Sequence, residues 1–248
     1  DNFSDLELPA DYTKISYPTG EFSKEFQLGI GDKEVCIYFP WSAKATLKEI
    51  KLDDNAFIQP IKPSKKILCF GDSITQGYDS LSPSCKYISR IANMLDAEEF
   101  NKAIGGEVFF PELAATKEDF QPDYITVAYG TNNWDRRPRE EFLSGCKEFF
   151  SNLYNNYPTT PIWVITPIWR KDMNEDRPFG EFEDVEKFIG SQVLMYENMT
   201  LIRGFELVPQ DENLFGDLRL HPNNEGFDFY FENLSKQIKI CCSIIKTC

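Results

Sequence analysis

The apolar and polar positions of this chain follow two different periods. From about residue 22 to residue 53, apolar and polar residues alternate in short runs such as 34–39 and 47–52, with glycine and proline between them. A period of two is typical of strands that bury one face. We therefore expect antiparallel strands in a small β domain over residues 1–62 that packs against or shields the rest of the chain. The alternative is an independent binding module.

After residue 63 the pattern changes to buried strands that alternate with amphipathic helices. Continuous apolar runs near residues 67–70, 124–128 and 162–166 predict strands that are buried on both faces. Spacings of three and four predict helices with these apolar faces: Ile88, Ile91 and Leu95; Phe142, Cys146, Phe149 and Leu153; Phe231, Leu234, Ile238, Cys241 and Ile245. The alternation predicts an α/β domain over residues 63–248 with a mostly parallel sheet between helices.

Three candidate site residues follow the ends of these strands. Ser73, Asn132 and Trp169 all lie just after a predicted strand, where parallel sheets bind their ligands. A serine hydroxyl that leads into a helix N-terminus is surrounded by backbone N–H groups that can stabilise an oxyanion. Ser73 is therefore a candidate nucleophile. The alternative is that Asp72, Ser73 and Thr75 only form the turn and cap the helix.

The composition restricts the partners of the protein. A formal net charge of −14 and a pI near 4.6 argue against nucleic acid and anionic membranes, which need clustered lysine and arginine. The expected substrate is neutral or small. No apolar run is long enough to span a bilayer. The first residues lack the basic and apolar regions of a signal peptide, and a leader that has been removed is the alternative.

The cysteines and the single histidine bear on compartment and cofactors. Seven cysteines are an odd number for a disulfide framework, which favours a reducing, cytoplasmic location. His221 is the only histidine, and no Cys-x-x-Cys pair is present, so we expect no metal site and no cofactor.

Four segments together resemble the ordered blocks of the SGNH, or GDSL-type, hydrolases. They are the Gly-Asp-Ser-Ile-Thr of residues 71–75, residues 101–106 ending in Gly-Gly, the Gly-Thr-Asn-Asn of residues 130–133, and His221-Pro-Asn with Asp217 before it. The first, third and last are specific in combination, whereas the glycine block is weak by itself. The resemblance covers roughly residues 65–240.

The resemblance implies a fold and a set of roles. The family has a flavodoxin-like three-layer α/β/α fold, in which a serine attacks an ester carbonyl and a histidine removes the serine proton. These roles correspond to Ser73 and His221. The oxyanion hole of the family corresponds to the N–H of Ser73, the N–H of Gly106 and the side chain of Asn132. A weak hydroxyl nucleophile needs such a base and such donors.

The acidic residue departs from the family pattern by one position. The family places it three residues before the histidine, where this chain has Leu218, and Asp217 lies four before. Either a loop with one extra residue lets Asp217 orient the imidazole, or a backbone carbonyl does so and the enzyme works as a Ser73–His221 dyad.

The N-terminal segment also resembles the β domains, jelly-roll-like β-sandwiches, of some SGNH esterases that act on acylated carbohydrate. This favours a serine esterase for short acyl groups, with an acylated carbohydrate as one candidate substrate. Trp134 and Trp169 are candidates for a surface that contacts the sugar or the acyl group, and ordinary packing is the alternative for each. The alternative functions are a catalytically silent carbohydrate-binding or interaction protein, and a lysophospholipase or thioesterase.

Overall fold

A single parallel sheet carries the fold. The computed structural model describes residues 20–41 and 44–245. Within these residues the sheet has five strands in the order β2-β1-β3-β4-β5, which is the order of flavodoxin-like sheets. The strands are β1 (Lys65–Gly71), β2 (Ala97–Asn101), β3 (Tyr124–Ala128), β4 (Ile162–Ile165) and β5 (Met199–Ile202).

Helices connect the strands and cover both faces of the sheet. The helices are α1 (Ser73–Gln76), α2 (Tyr87–Met94), α3 (Pro111–Ala115), α4 (Thr131–Arg136), α5 (Arg139–Asn156), α6 (Glu183–Val193) and α7 (Asn224–Ile245). Helices α3, α5 and α6 contribute to one apolar cluster and α2 and α7 to the other. The predicted three-layer α/β arrangement with a parallel sheet is therefore confirmed.

Residues 67–70 of strand β1 are apolar without interruption because they are buried on both faces of the sheet. Successive side chains of a strand point to opposite faces. Ile67 and Cys69 belong to the cluster under α2 and α7, whereas Leu68 and Phe70 belong to the cluster under α5 and α6. Because both faces are covered, each position must be apolar.

The sequence patterns did not predict β5 or the helices α3, α4 and α6. Strand β5 lies at the edge of the sheet, and only two of its four side chains are buried, so it lacks a long apolar run. Helix α6 does carry a signal, since Val185, Ile189 and Val193 recur every four residues and are buried.

The predicted N-terminal strands are not formed in the described residues. Within residues 20–41 and 44–62 the structure contains no strand, and most of the apolar side chains are exposed, for example those of Phe22, Ile30 and Phe57. Alternation gives a segment the propensity for a strand, but a strand also needs a paired edge and a surface that buries its apolar face. The prediction of a β-sandwich is therefore not supported. No helix in the described part of the chain is long and apolar enough to cross a membrane.

Candidate active site

Ser73 lies at the carboxyl edge of the sheet, on the sharp turn that follows β1. It is the first residue of helix α1. The side chain of Asp72 caps α1 by accepting a hydrogen bond from the N–H of Ile74 at 3.0 Å. A Cβ at Gly71 would come within 2.2 Å of the Thr75 hydroxyl oxygen, so the turn requires glycine there. Ser73 is only 6% exposed, and the turn directs it towards the switch point between β1 and β3.

A continuous chain of hydrogen bonds joins Ser73 to residues near the other end of the domain. The Oγ atom of Ser73 lies 2.8 Å from Nε2 of His221. On the other side of the ring, Nδ1 of His221 lies 2.8 Å from Oδ2 of Asp217. Asp217 therefore reaches the histidine in spite of its displaced position in the sequence.

The turn that carries Asp217 absorbs the extra residue at Leu218. This residue adopts a left-handed conformation with φ of 54°, and the N–H of Gly216 closes the turn on the carbonyl of His221 at 2.8 Å. The backbone N–H groups of residues 219, 220 and 221 all donate to Oδ1 of Asp217, at 2.9, 2.7 and 3.1 Å. The carboxylate is therefore held by its own turn, with Oδ2 left for the imidazole.

The hydrogen bonds to Asp217 also set its charge. Partial burial by itself would raise the pKa of the carboxyl group, but the side chain of His221 and the backbone N–H groups outweigh it and hold the pKa of Asp217 well below its usual range. The group is therefore ionised at neutral pH, as a partner of an imidazolium must be.

The glycine loop lies beside Ser73. The side chain of Asn101 donates to the carbonyl of Thr75 at 3.1 Å, and the N–H of Ile104 donates to the carbonyl of Gly71 at 3.2 Å. A Cβ built at Gly105 would lie 3.8 Å from the Cβ of Ser73. Gly106 has φ of 81°, and a side chain there would meet the guanidinium of Arg136 at 2.8 Å. The left-handed conformation of Gly106 therefore favours glycine, whereas a side chain at Gly105 would make only ordinary contact with Ser73.

Asn132 reaches the same loop from the opposite side. It is buried in the first turn of α4, and its Nδ2 donates to the carbonyl of Glu107 at 3.0 Å. The next residue, Asn133, accepts a hydrogen bond from the N–H of Phe109 at 3.3 Å. The structure thus brings the segments of Ser73, Gly106 and Asn132 together at one edge of the sheet.

The two tryptophans differ in exposure, and the burial of Trp134 fits the alternative of ordinary packing. Trp134 is 0% exposed, and its indole N–H donates to the carbonyl of Gly180 at 2.7 Å. It belongs to the apolar core under α5 and α6, where it packs as a core residue. Trp169 is partly buried, with its ring 5.2 Å from that of Phe215, and its role in substrate binding stays a prediction.

Tyr78, which the sequence analysis did not single out, lies beside His221 and connects to two further residues. The ring of Tyr78 lies 4.7 Å from the imidazole, and the ring of Trp41 lies 5.0 Å from that of Tyr78. Gln76 connects the two segments, because its amide donates to the carbonyl of Trp41 at 3.3 Å. Tyr78 could have been suspected from its place directly after α1, whereas nothing near Trp41 in the sequence indicates this contact.

Asp79 is a second carboxylate near the histidine. One ligand atom from each of Asp79, Asp217 and His221 lies within 4.8 Å of the others, so this group could also hold a cation. Burial and the nearby charge of Asp217 raise the pKa of Asp79, although His221 opposes the shift. A side chain at Gly216 would meet the Cβ of Asp79 at 2.8 Å, so Asp79 packs directly on the turn of Asp217.

Comparison with known families gives a match over the part of the chain that carries these segments. A sequence model of the GDSL-like Lipase/Acylhydrolase family matches residues 69–229, which include all the residues from Ser73 to His221 discussed above. None of the curated proteins matches the chain.

Several solved structures share the fold at low sequence identity. A protein from Bacteroides ovatus that is described as a GDSL-like lipase has 22% identity and a TM-score of 0.63, over 72% of this chain and 54% of its own. A family 2 carbohydrate esterase from Corynascus thermopiles has 18% identity and a TM-score of 0.62, over 75% and 69% of the two chains. A family two carbohydrate esterase from Clostridium thermocellum, solved with cellohexaose, has 18% identity and a TM-score of 0.60, over 75% and 67%. The present chain thus spans little more than half of the Bacteroides protein.

Proposed function

The chain belongs to the GDSL-like lipase and acylhydrolase family, and on that premise we propose that it is a serine esterase that hydrolyses carboxylic esters through an acyl-enzyme on Ser73. The observation that carries the proposal is the chain of two 2.8 Å contacts, from Oγ of Ser73 to His221 and from His221 to Asp217. These contacts supply a nucleophile, its base and a group that orients the base.

The proposed reaction has two stages. Oγ of Ser73 attacks the ester carbonyl carbon while Nε2 of His221 takes the hydroxyl proton, and the ionised Asp217 stabilises the imidazolium. Nε2 then gives this proton to the departing alkoxide, which leaves as the alcohol. A water molecule attacks the acyl-enzyme with His221 again as the base, and the carboxylic acid leaves as Oγ regains its proton.

The proposed oxyanion hole consists of the N–H of Ser73, the N–H of Gly106 and the side-chain amide of Asn132. The Asn132 amide has two N–H donors, and one is bound to the carbonyl of Glu107. This bond fixes the orientation of the amide, so the second N–H needs no reorientation when charge develops on the carbonyl oxygen. Preorganised donors of this type stabilise the transition state more than the ground state.

Asn132→Ala should lower kcat by about a hundredfold and change KM little, because the lost donor acts on the developing oxyanion. Steady-state kinetics on a short-chain ester would measure both constants. Asn133→Ala is a matched control, because Asn133 also holds the 107–109 loop but has no proposed role in charge stabilisation. A rise in KM with unchanged kcat would make Asn132 a substrate anchor instead.

We further propose that the substrate carries a short acyl group on a carbohydrate. The half-buried ring of Tyr78 lies next to His221, and that of Trp41 lies next to Tyr78. Aromatic faces of this kind suit the apolar face of a sugar. Two of the similar structures are described as carbohydrate esterases. The net charge of −14 fits a neutral substrate better than an anionic one.

The division into domains 1–62 and 63–248 and the cytoplasmic location stay predictions.

A series of p-nitrophenyl esters of increasing acyl length tests the proposal against its alternatives. Preference for acetate, together with release of acetate from acetylated oligosaccharides, is the expected result. Preference for long chains would favour a lysophospholipase or thioesterase. The absence of turnover with every ester, in protein that is folded by circular dichroism, would favour a silent binding protein on the same scaffold.

A further inference from the structure

A buried arginine lies behind the candidate active site. Arg170 follows β4 and is 0% exposed. Its guanidinium binds the carboxylate of Asp172 through two parallel hydrogen bonds, from Nε at 2.6 Å and from Nη2 at 2.8 Å. The guanidinium also lies 4.9 Å above the ring of Trp134. Burying a charge costs free energy unless the charge is paired, and the carboxylate of Asp172 supplies that pairing here.

One arm of Arg170 reaches the segment of Asn132. Its Nη1 donates to the carbonyl of Thr131 at 3.2 Å and lies 3.1 Å from the Thr131 hydroxyl. Thr131 begins α4 and directly precedes Asn132. The backbone that presents the Asn132 amide is therefore held by the arginine.

The second arm of this cluster runs from Asp172, the partner of Arg170, to the turn of Asp217 and His221. Oδ2 of Asp172 also accepts hydrogen bonds from Arg219 and from Arg177, each at 3.2 Å, and the N–H of Lys171 donates to the carbonyl of Arg219 at 2.9 Å. Arg219 lies within the turn, between Asp217 and His221. The side chain and the backbone of this turn are thus both tied to the segment 170–172.

The electrostatics agree with these contacts. Burial would raise the pKa of Asp172, but the hydrogen bonds and charges of Arg170 and the charge of Arg219 outweigh it and lower that pKa. The positive charge of Arg170 also acts on Asp72, whose pKa burial raises to about 6. Arg170 therefore contacts the Asn132 segment directly through Thr131 and the His221 turn indirectly through Asp172 and Arg219.

We propose that Arg170 and Asp172 form a positioning bridge that holds the Asn132 segment and the His221 turn in register with each other. The inference rests on the proposed esterase function. Neither residue touches the reacting atoms in this scheme. Arg170 acts through Thr131 on the oxyanion donor, and Asp172 acts through Arg219 on the base.

Arg170→Lys tests the first arm. Lysine keeps the charge but cannot reach Asp172 and Thr131 together, because it lacks the planar fork. We expect kcat to fall about tenfold to a hundredfold with little change in KM, since a small displacement of a catalytic group has this effect. In the Asn132→Ala background the same substitution should cost less than about threefold. Fully multiplicative losses in the double variant would overturn the first arm.

Arg219→Met tests the second arm and keeps the apolar stem of a half-exposed side chain. His221 is the only histidine, so the proton that it shares with Asp217 can be followed in an NMR spectrum without ambiguity. We expect this downfield resonance to broaden or disappear and kcat to fall about tenfold. An unchanged resonance with unchanged kcat would overturn the second arm.

Two controls separate the bridge from a general loss of stability. Arg139→Lys changes an arginine that pairs with Asp184 and Phe179, and Arg203→Met changes one that pairs with Glu186. Neither contacts the bridge, and both should retain wild-type kcat. If Arg170→Lys does not fold, Thr131→Val replaces it, because valine removes only the hydroxyl contact, and its loss must likewise shrink in the Asn132→Ala background.

Different experimental results would refute the bridge and the proposed function. Wild-type protein that turns over no ester would refute the function, whereas the histidine resonance of Arg219→Met would still report on the second arm. Active wild-type protein whose Arg170→Lys and Arg219→Met variants match the controls would refute the bridge alone.

Discussion

Ser73→Ala should lower kcat by about 10⁴-fold or more, because no other hydroxyl lies within hydrogen-bond distance of His221 in the described residues. The substitution removes one atom from a turn whose shape depends on the Asp72 cap and on backbone bonds from Gly77 and Tyr78 to the Ser73 carbonyl. The fold should therefore be retained. Steady-state kinetics and labelling by an organophosphonate ester, read by intact mass, would measure the loss.

Ser80→Ala is the control for this experiment. Ser80 is also buried, lies close in sequence, and donates only to the carbonyl of Ser82 at 2.7 Å. The Ser80→Ala protein should be labelled and active, and the Ser73→Ala protein should be neither. Undiminished labelling of Ser73→Ala would show that another residue is the nucleophile.

Asp217→Asn should lower kcat on the order of a thousandfold or more, approaching the near-complete loss expected for His221→Ala. An asparagine oxygen can still accept the three backbone N–H groups that bind Oδ1, so the turn should persist. Its amide nitrogen cannot accept a hydrogen bond from the Nδ1–H group, however, so the imidazole would lose the group that sets its tautomer and stabilises its charge. Kinetics across neutral pH would measure the effect.

Asp79→Asn separates Asp217 from its neighbouring carboxylate. Asp79 lies close to both residues, but the 2.8 Å contact to Nδ1 of His221 belongs to Asp217. Asp79→Asn should therefore cost much less than Asp217→Asn. Near-full kcat in Asp217→Asn would instead favour the dyad of Ser73 and His221, and an equal loss in both variants would assign the role to the pair of carboxylates.

The sequence determined those features that depend on local pattern. The unbroken apolar run of β1 requires a strand covered on both faces, and this predicts the parallel three-layer fold. The spacing of apolar residues located α2, α5 and α7. Ser73, Asn132 and His221 could be selected because each lies in a short block directly after a strand or before a helix.

The tertiary structure decided those features that depend on contacts between distant segments. Leu218 is not a residue type that favours a left-handed conformation, so only the closed turn shows how Asp217 reaches His221. An exposed and a buried tryptophan have the same sequence signal, and packing alone places Trp134 in the core. Alternation between residues 22 and 53 predicts strands, but strand formation depends on a partner edge that this pattern does not specify. Likewise, Arg170 binds Thr131 and Asp172, and through Asp172 it meets Arg219, 49 positions further along the chain. Local periodicity carries no information about such contacts, because they form only when the sheet brings the ends of its strands together.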